Sequence, residues 1–395
     1  MFLNEERAKK IMEREGLDAL VATTPENVAY LTGFWVLTSL RHRTRQVYAV
    51  ISKDEMQSDM IISVGLIDHP VAEKAWVRQY FPYGEFYFAT DEGNVLDEDS
   101  QRLVDALDST RRHKNAKDAL IACLEERGLA GGNVGVDQGG DAEFLPETLK
   151  ERLTGLKTRP AYGIFKEIRA VKTSAEISRI RAAVKVTEKA LTRAIGTIGE
   201  GVSEEDIATV FKETIVRGGG IPSLVFIGAG TRGAFPNVEP SPRKIGRGDA
   251  VRFDVGCILA AYHSDMARTA VLGSPSPKLQ KYHDALMAGQ GKIMEALKPG
   301  ARMADLFELG VSETKKNGIA HYQRQHCGHG NGIEGYDLPL ISPNNQTLLE
   351  PGMVLCIETP YYEPGFAGLQ IEDIVVITSN GYERITQMER KLFVV

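Results

Sequence analysis

Five side chains could build a metal centre if the fold brings them together: Asp254, Asp265, His329, Glu358 and Glu372. The stretch FDVGCILAAYHSDMARTAV, from Phe253 to Val271, sets Asp254 and Asp265 into sequence that otherwise reads as two short apolar strands. Carboxylates are rarely buried unless paired or bound to a cation. A weak internal repeat supplies counterparts. IGRGDAVRFD, ending at Asp254, matches LEPGMVLCIE, ending at Glu358, and SDMARTAV around Asp265 matches IEDIVVIT around Glu372. Upstream, IGEGVSEEDI (198–207) resembles LKPGARMADL (297–306). Each strand-return-strand unit can set its two acids side by side across an antiparallel pair. Two such units, related by an approximate twofold, would meet at one site with four carboxylates.

Four converging carboxylates repel one another and titrate upward, and divalent cations relieve that. The remaining ligand should be an imidazole. QHCGHGNGIEGYD (325–337) offers His326 and His329, and glycines on both sides of His329 permit close backbone approach. Oxygen-rich ligation with one imidazole suits Mn²⁺, Co²⁺, Fe²⁺ or Zn²⁺ and is unlike a structural zinc site. The plainer reading, in which each acid caps a turn or pairs with a base such as Arg268, serves for any one acid and is weak for four at matched positions.

The elements that must position these residues fall into two parts, as a chain of 395 residues leads one to expect. The first part alternates helix and strand signals: a helix over 4–15, strands over 18–24, 47–53 and 60–65, a helix over 113–129 and a strand over 133–137. That order predicts an α/β layer domain. Residues 155–172 lack clear periodicity. A strong helix then starts after Thr173, which forms a capping box with Glu176, and Ile177, Ile180, Val184, Leu191 and Ile195 line one face. We expect domains over 1–165 and 166–395. GGGIPSLVFIGAGTRG (218–233) lacks the order of a P-loop or a dinucleotide-binding turn, so it reads as a glycine-rich turn leading to a strand that lines the site.

Composition is that of a globular protein, 43% hydrophobic and 25% charged, and the net charge of −6 offers no global basic field for nucleic acid or an anionic membrane. The N-terminus reads as an amphipathic helix rather than a signal peptide, no window is apolar enough for a membrane span, and the four cysteines suggest no disulfide framework. These features predict a reducing, cytoplasmic compartment.

The ordered set Asp254, Asp265, His329, Glu358, Glu372 resembles the ligand set of the pita-bread metallopeptidases, which include Xaa-Pro aminopeptidase, prolidase and methionine aminopeptidase, with the metal-free creatinase as a relative. Local context agrees. Asp254-Val255-Gly256 resembles the family's DxG, Tyr262-His263-Ser264-Asp265 with Arg268-Thr269 its YxSDxxRT, Gly328-His329-Gly330 its GHG, and Ile371-Glu372-Asp373 its IED. Asn27 to Phe34, NVAYLTGF, resembles the N-domain signature of the prolidase and creatinase branch. The resemblance implies a creatinase-type α/β N-terminal domain followed by an α+β pita-bread domain with an internal pseudo-twofold repeat. It also implies a homodimer and two divalent ions, Mn foremost with Co, Zn or Fe as alternatives. The implied activity is hydrolysis of a C–N amide bond in a small peptide, as by an Xaa-Pro dipeptidase or aminopeptidase. Under the resemblance Glu358 is the general base, Asp254 a bidentate ligand and Asp265 a bridge between the ions.

Three positions depart from the family pattern. Asn237, in Pro236-Asn237-Val238-Glu239-Pro240, and Tyr336, before Asp337-Leu338-Pro339, stand where the peptidases carry histidines that contact the scissile group. Gln370 stands where prolidases often hold the substrate carboxylate with an arginine, so the bidentate charge pair is lost. These changes open an alternative: a hydrolase of a non-peptide amide, amidine or cyclic compatible solute, similar to creatinase or ectoine hydrolase. A non-catalytic binding protein is a further rival. The basic run 41–45 reads as a solvated loop. In the creatinase branch such a loop reaches the site of another subunit, and Arg43 or Arg45 could then bind a substrate carboxylate. His263 and His326 could orient Asp265 or His329 or simply pack.

Overall fold

The computed structural model describes residues 2–35, 46–89, 91, 93–107, 111–137 and 145–395. The chain forms two compact units, Met1–Arg169 and Ala170–Val395. The first unit runs α1 (Glu5–Glu15), β1 (Ala19–Ala22), α2 (Pro25–Thr32), β2 (Tyr48–Ser52), β3 (Ser58–Ser63), α3 (Asp68–Ala72), β4 (Val77–Tyr83), α4 (Glu98–Ala106), α5 (Ala116–Glu126), β5 (Asn133–Val136), α6 (Leu145–Arg152), β6 (Lys157–Pro160) and α7 (Tyr162–Arg169). Its strands form one mixed sheet in the order β4-β3-β2-β1-β5-β6, the α/β layer predicted above.

The aperiodic segment 155–172 corresponds to β6 and α7. A strand of four residues and a helix of eight are too short to show a period. Two turns suffice to bury Ile164, Phe165 and Ile168. The signature NVAYLTGF lies mostly in α2, capped by the Thr24 side chain, and Gly33 ends it at φ 74°. There Asn27 Nδ2 donates to the buried Asp137 carboxylate at 2.5 Å, which anchors the helix start against the end of β5.

The second unit runs α8 (Ser174–Ile195), α9 (Glu204–Arg217), β7 (Ile221–Ala229), β8 (Ala250–Leu259), β9 (Tyr262–His263), β10 (Met266–Val271), α10 (Pro277–Ala296), α11 (Met303–Lys316), β11 (Gly328–Gly330), β12 (Asp337–Leu340), β13 (Val354–Glu358), β14 (Tyr361–Glu363), β15 (Ala367–Leu369), β16 (Glu372–Ile377), β17 (Tyr382–Arg384) and β18 (Phe393–Val394). The main sheet has the order β12-β11-β13-β16-β10-β8-β7. It is an α+β unit, and the repeat is visible in it. Two helices and three strands (α8, α9, β7, β8, β10) are answered by α10, α11, β11, β13 and β16, which meet where β10 pairs with β16. The turn glycines match as well. Gly201 and Gly300 have φ 81° and 82°, and Gly248 and Gly352 have φ 85° and 89°. Left-handed backbone at equivalent turns requires glycine in both halves.

α8 starts as its sequence predicts. Thr173 Oγ1 accepts from the Glu176 N–H at 3.3 Å, and Thr173 N–H donates to Glu176 Oε2 at 2.7 Å. The Tyr262 hydroxyl donates to the other carboxylate oxygen at 3.1 Å. Ile180, Val184, Leu191 and Ile195 are buried, while Ile177 is half-buried.

Burial pushes the Glu176 carboxyl up to about 7, against the pull of the Thr173 N–H, the Lys172 ammonium and the Tyr262 hydroxyl. The unfolded chain therefore ionises at lower pH than the folded one, and stability from this group is lost as pH rises toward 7. Gln keeps the shape and one acceptor. Glu176→Gln is expected to stabilise the unit by on the order of 3 kcal/mol at pH 8 and far less at pH 5. Thermal midpoints at the two pH values check this; an equal shift at both would refute it.

Among the described residues no helix is long and apolar enough to cross a membrane.

Candidate metal centre

Strand register places the acids. Glu358 of β13 stands opposite Glu372 of β16, Glu372 opposite Ala267 of β10, Ala267 opposite Asp254 of β8, and Asp254 opposite Phe226 of β7. Directly paired residues project from the same face of a sheet, so three carboxylates stand in one row with only a methyl group between Glu372 and Asp254. Asp265, two residues before Ala267, opens into the same cavity. Side-by-side pairing thus holds for Glu358 and Glu372. Asp254 instead faces Ala267, with Asp265 offset by two residues along the chain. In the next row His329 of β11 stands opposite Cys356 of β13.

A cavity of about 380 Å³ gathers the five expected ligands with Asn237, Tyr336, Gln370, His326, Arg324 and Tyr362. His329 is buried, and desolvation lowers its pKa, which keeps the imidazole neutral. Its Nδ1 lies 2.9 Å from the Gly330 carbonyl oxygen, which can only accept, so Nδ1 carries the proton. The lone pair of Nε2 then faces Asp265 Oδ2 at 3.8 Å and Glu372 Oε1 at 3.7 Å. Asp265 Oδ1 and Glu372 Oε1 are buried with no hydrogen-bond partner. A neutral nitrogen lone pair aimed at two carboxylates with orphaned oxygens fits a cation between them. Donor atoms of Asp265, His329, Cys356 and Glu372 all lie within 4.8 Å of one another.

The acids divide electrostatically. Burial pushes Asp254 up to about 6, despite the Arg252 guanidinium 3.2 Å away. Burial and the neighbouring carboxylates push Asp265 and Glu372 well above the usual range. Burial acts upward on Glu358 too, but His326, His329 and Arg324 outweigh it and hold this carboxyl below its ordinary value. His326 Nδ1 lies 3.2 Å from Glu358 Oε1.

Arg268, offered above as an ordinary partner for the acids, is committed elsewhere. It is fully buried, pairs with Asp373 at 2.7 Å and donates to the Glu372 carbonyl oxygen at 2.7 Å, so it fixes the backbone of β16.

The creatinase/prolidase N-terminal domain model matches residues 6–171, and the model of metallopeptidase family M24 matches residues 178–379. The chain belongs to metallopeptidase family M24. It is 35% identical over 251 residues to an Xaa-Pro dipeptidase of Pyrococcus furiosus, covering 63% of this chain and 72% of that one. It is 28% identical over 398 residues to an Xaa-Pro dipeptidase of Pyrococcus horikoshii, covering 99% and 100%. The crystal structure of the Pyrococcus horikoshii OT3 prolidase superposes with a TM-score of 0.78 at 25% identity, covering 98% of this chain and 99% of that one. An Xaa-Pro dipeptidase from Bacillus anthracis shares the fold, with a TM-score of 0.81 at 22% identity and 99% of each chain covered.

Within this M24 site the departing residues all face the cavity. The Tyr336 ring stacks on His329 with centroids 3.8 Å apart, and its hydroxyl lies 3.4 Å from His326 Nε2. Although the residue as a whole is 54% exposed, partial desolvation against the site and the Glu358, Glu372 and Asp265 carboxylates push its phenol up, so it stays a donor. Gln370 is held tightly: Oε1 accepts from Arg252 at 2.9 Å, and Nε2 lies 3.3 Å from Glu358 Oε2. Asn237 lines the mouth with its side chain exposed. Leu224 and Phe226 of β7 line the cavity too, as the glycine-rich turn before them suggested. The two histidines set beside the ligands differ. His326 contacts Glu358, whereas His263 is not among the cavity residues. Arg43 and Arg45, with the rest of the run 41–45, lie outside the described residues.

Sequence reasoning missed Arg252, Cys356, Arg324 and Tyr362. Two of these had a signal. Arg252 and Cys356 occupy equivalent repeat positions, each two residues before an acid and therefore on the same face of the strand. Arg324 and Tyr362 lie outside the aligned repeat segments and carried none.

Proposed function

We propose that this chain is a metal-dependent Xaa-Pro dipeptidase. The observation that carries the reading is the set of five ligand-type side chains in one small cavity, where orphaned carboxylate oxygens face a neutral imidazole. Similarity to Xaa-Pro dipeptidases along the whole chain supports the substrate class. Asp254, Asp265, His329, Glu358 and Glu372 would hold two divalent ions, with Mn²⁺ foremost given the oxygen-rich donors. Bound there, the ions supply Lewis acidity to the scissile carbonyl and lower the pKa of the attacking water.

The remaining steps belong to the chain itself. Glu358 is the carboxylate its surroundings keep ionised while its neighbours are pushed up, so it accepts the proton of the attacking water. Tyr336 and Asn237 offer hydrogen bonds to the substrate carbonyl or amide, and Tyr336, still protonated, donates. His329 keeps its proton on Nδ1 and its lone pair turned inward. We further propose a cytoplasmic homodimer. Four free, buried cysteines support a reducing compartment.

Hydrolysis of non-peptide amides or cyclic solutes is not favoured, because a relative that matches the full chain is named an Xaa-Pro dipeptidase. The intact ligand set also speaks against a purely binding role. Turnover of a panel of Xaa-Pro dipeptides and tripeptides by Mn²⁺-loaded protein tests the proposal. Dipeptide cleavage is the expected result, and no cleavage of any member would overturn it.

A further inference from the structure

Among the described residues Arg324 is the only lysine or arginine lining the cavity, and it forms no ion pair there. It sits in the segment between α11 and β11. Its Nε is buried with no hydrogen-bond partner, and its guanidinium carbon lies 5.6 Å from the centroid of the Tyr362 ring. Arg252, the nearby comparison, is saturated. It donates to the carbonyl oxygens of Gly233, Phe235 and Pro236, to Asp254 and to Gln370. Arg324 is half-buried and feels the Glu358 carboxylate across the cavity without a hydrogen bond to it, so its planar fork is left to match a carboxylate. Gln370 cannot take that role, being neutral and already bound to Arg252 and the site acids.

We propose that Arg324 receives the terminal carboxylate of the substrate; this rests on the peptidase reading of the cavity. The Tyr362 ring beside it, with Leu224, Phe226 and Pro236, offers apolar surface for the residue bearing that carboxylate. Glu358 lines the same cavity, whose volume of about 380 Å³ suits a short ligand. An anchor in the same cavity as the acids favours short peptides with a free C-terminal carboxylate over their amides.

The test compares an Xaa-Pro dipeptide with its C-terminal amide, using Mn²⁺-loaded wild type, Arg324→Met and Arg324→Lys. A charge-assisted pair of this kind corresponds to about 10- to 100-fold in affinity. The wild type is expected to prefer the acid by roughly that factor in kcat/KM, chiefly through KM. Arg324→Met should bring the acid-over-amide ratio close to one, and Arg324→Lys should restore part of it. An unchanged ratio in Arg324→Met would overturn the assignment. Calorimetric binding of N-acetylproline and its amide is measured on the same proteins. If the wild type cleaves no Xaa-Pro peptide, the peptidase reading fails, and the calorimetry still decides on Arg324. An acid preference lost in Arg324→Met supports the anchor; no acid preference in the wild type refutes it.

Discussion

Asp265→Asn is expected to make the metal-free protein more stable and at the same time largely blind to divalent ions. In the metal-free site Asp265 is buried beside other carboxylates, which with burial itself push its carboxyl far up. Its Oδ1 has no partner and its Oδ2 faces a lone pair. Asparagine keeps the shape, removes a charge and can donate toward His329 Nε2. The gain should be about 1–3 kcal/mol, or several degrees in the transition of the second unit. The wild type should instead be stabilised by added Mn²⁺, by about 4 kcal/mol at a thousandfold excess over Kd, and Asp265→Asn should lose most of that rise. Thermal unfolding of both proteins, stripped of metal and then titrated, checks both halves. A full metal-induced rise in the variant would remove Asp265 from the ligand set.

Glu358→Gln should lower kcat by about 10²–10⁴-fold, the range general-base catalysis supplies. Of the four acids it alone is held below its ordinary value, and His326 at 3.2 Å is the nearest of the groups holding it there. The amide keeps the side-chain volume and one oxygen toward the site but cannot accept the proton. Metal content of the variant, measured beside the rate, separates loss of the base from loss of an ion. A rate within tenfold of wild type at full metal content would assign the base elsewhere.

Much of this site was legible because it is written in short, local patterns. A repeat of ten residues brought Asp254 into register with Glu358, and the glycines of that repeat have nearly the same left-handed φ in the structure. Alternation along β8 and β13 put each acid on the cavity face. The capping box at Thr173 was readable for the same reason: both of its bonds close within one turn. Where an element was too short for a period, as in β6 and α7, the sequence was mute.

By itself, then, the sequence pointed to a two-part architecture, a repeated strand-return-strand unit and four acids at matched positions, because periodicity and repeat alignment need no knowledge of distant contacts. Only the tertiary structure decided which group balances which. It committed Arg268 to Asp373, Arg252 to Asp254 and Gln370, and His326 to Glu358, and it left Arg324 in the cavity wall. Those pairings span up to 118 positions, between Arg252 and Gln370. Charge pairing depends on distances of a few ångström between residues far apart in sequence, and strand register together with the path of the connecting segments sets those distances.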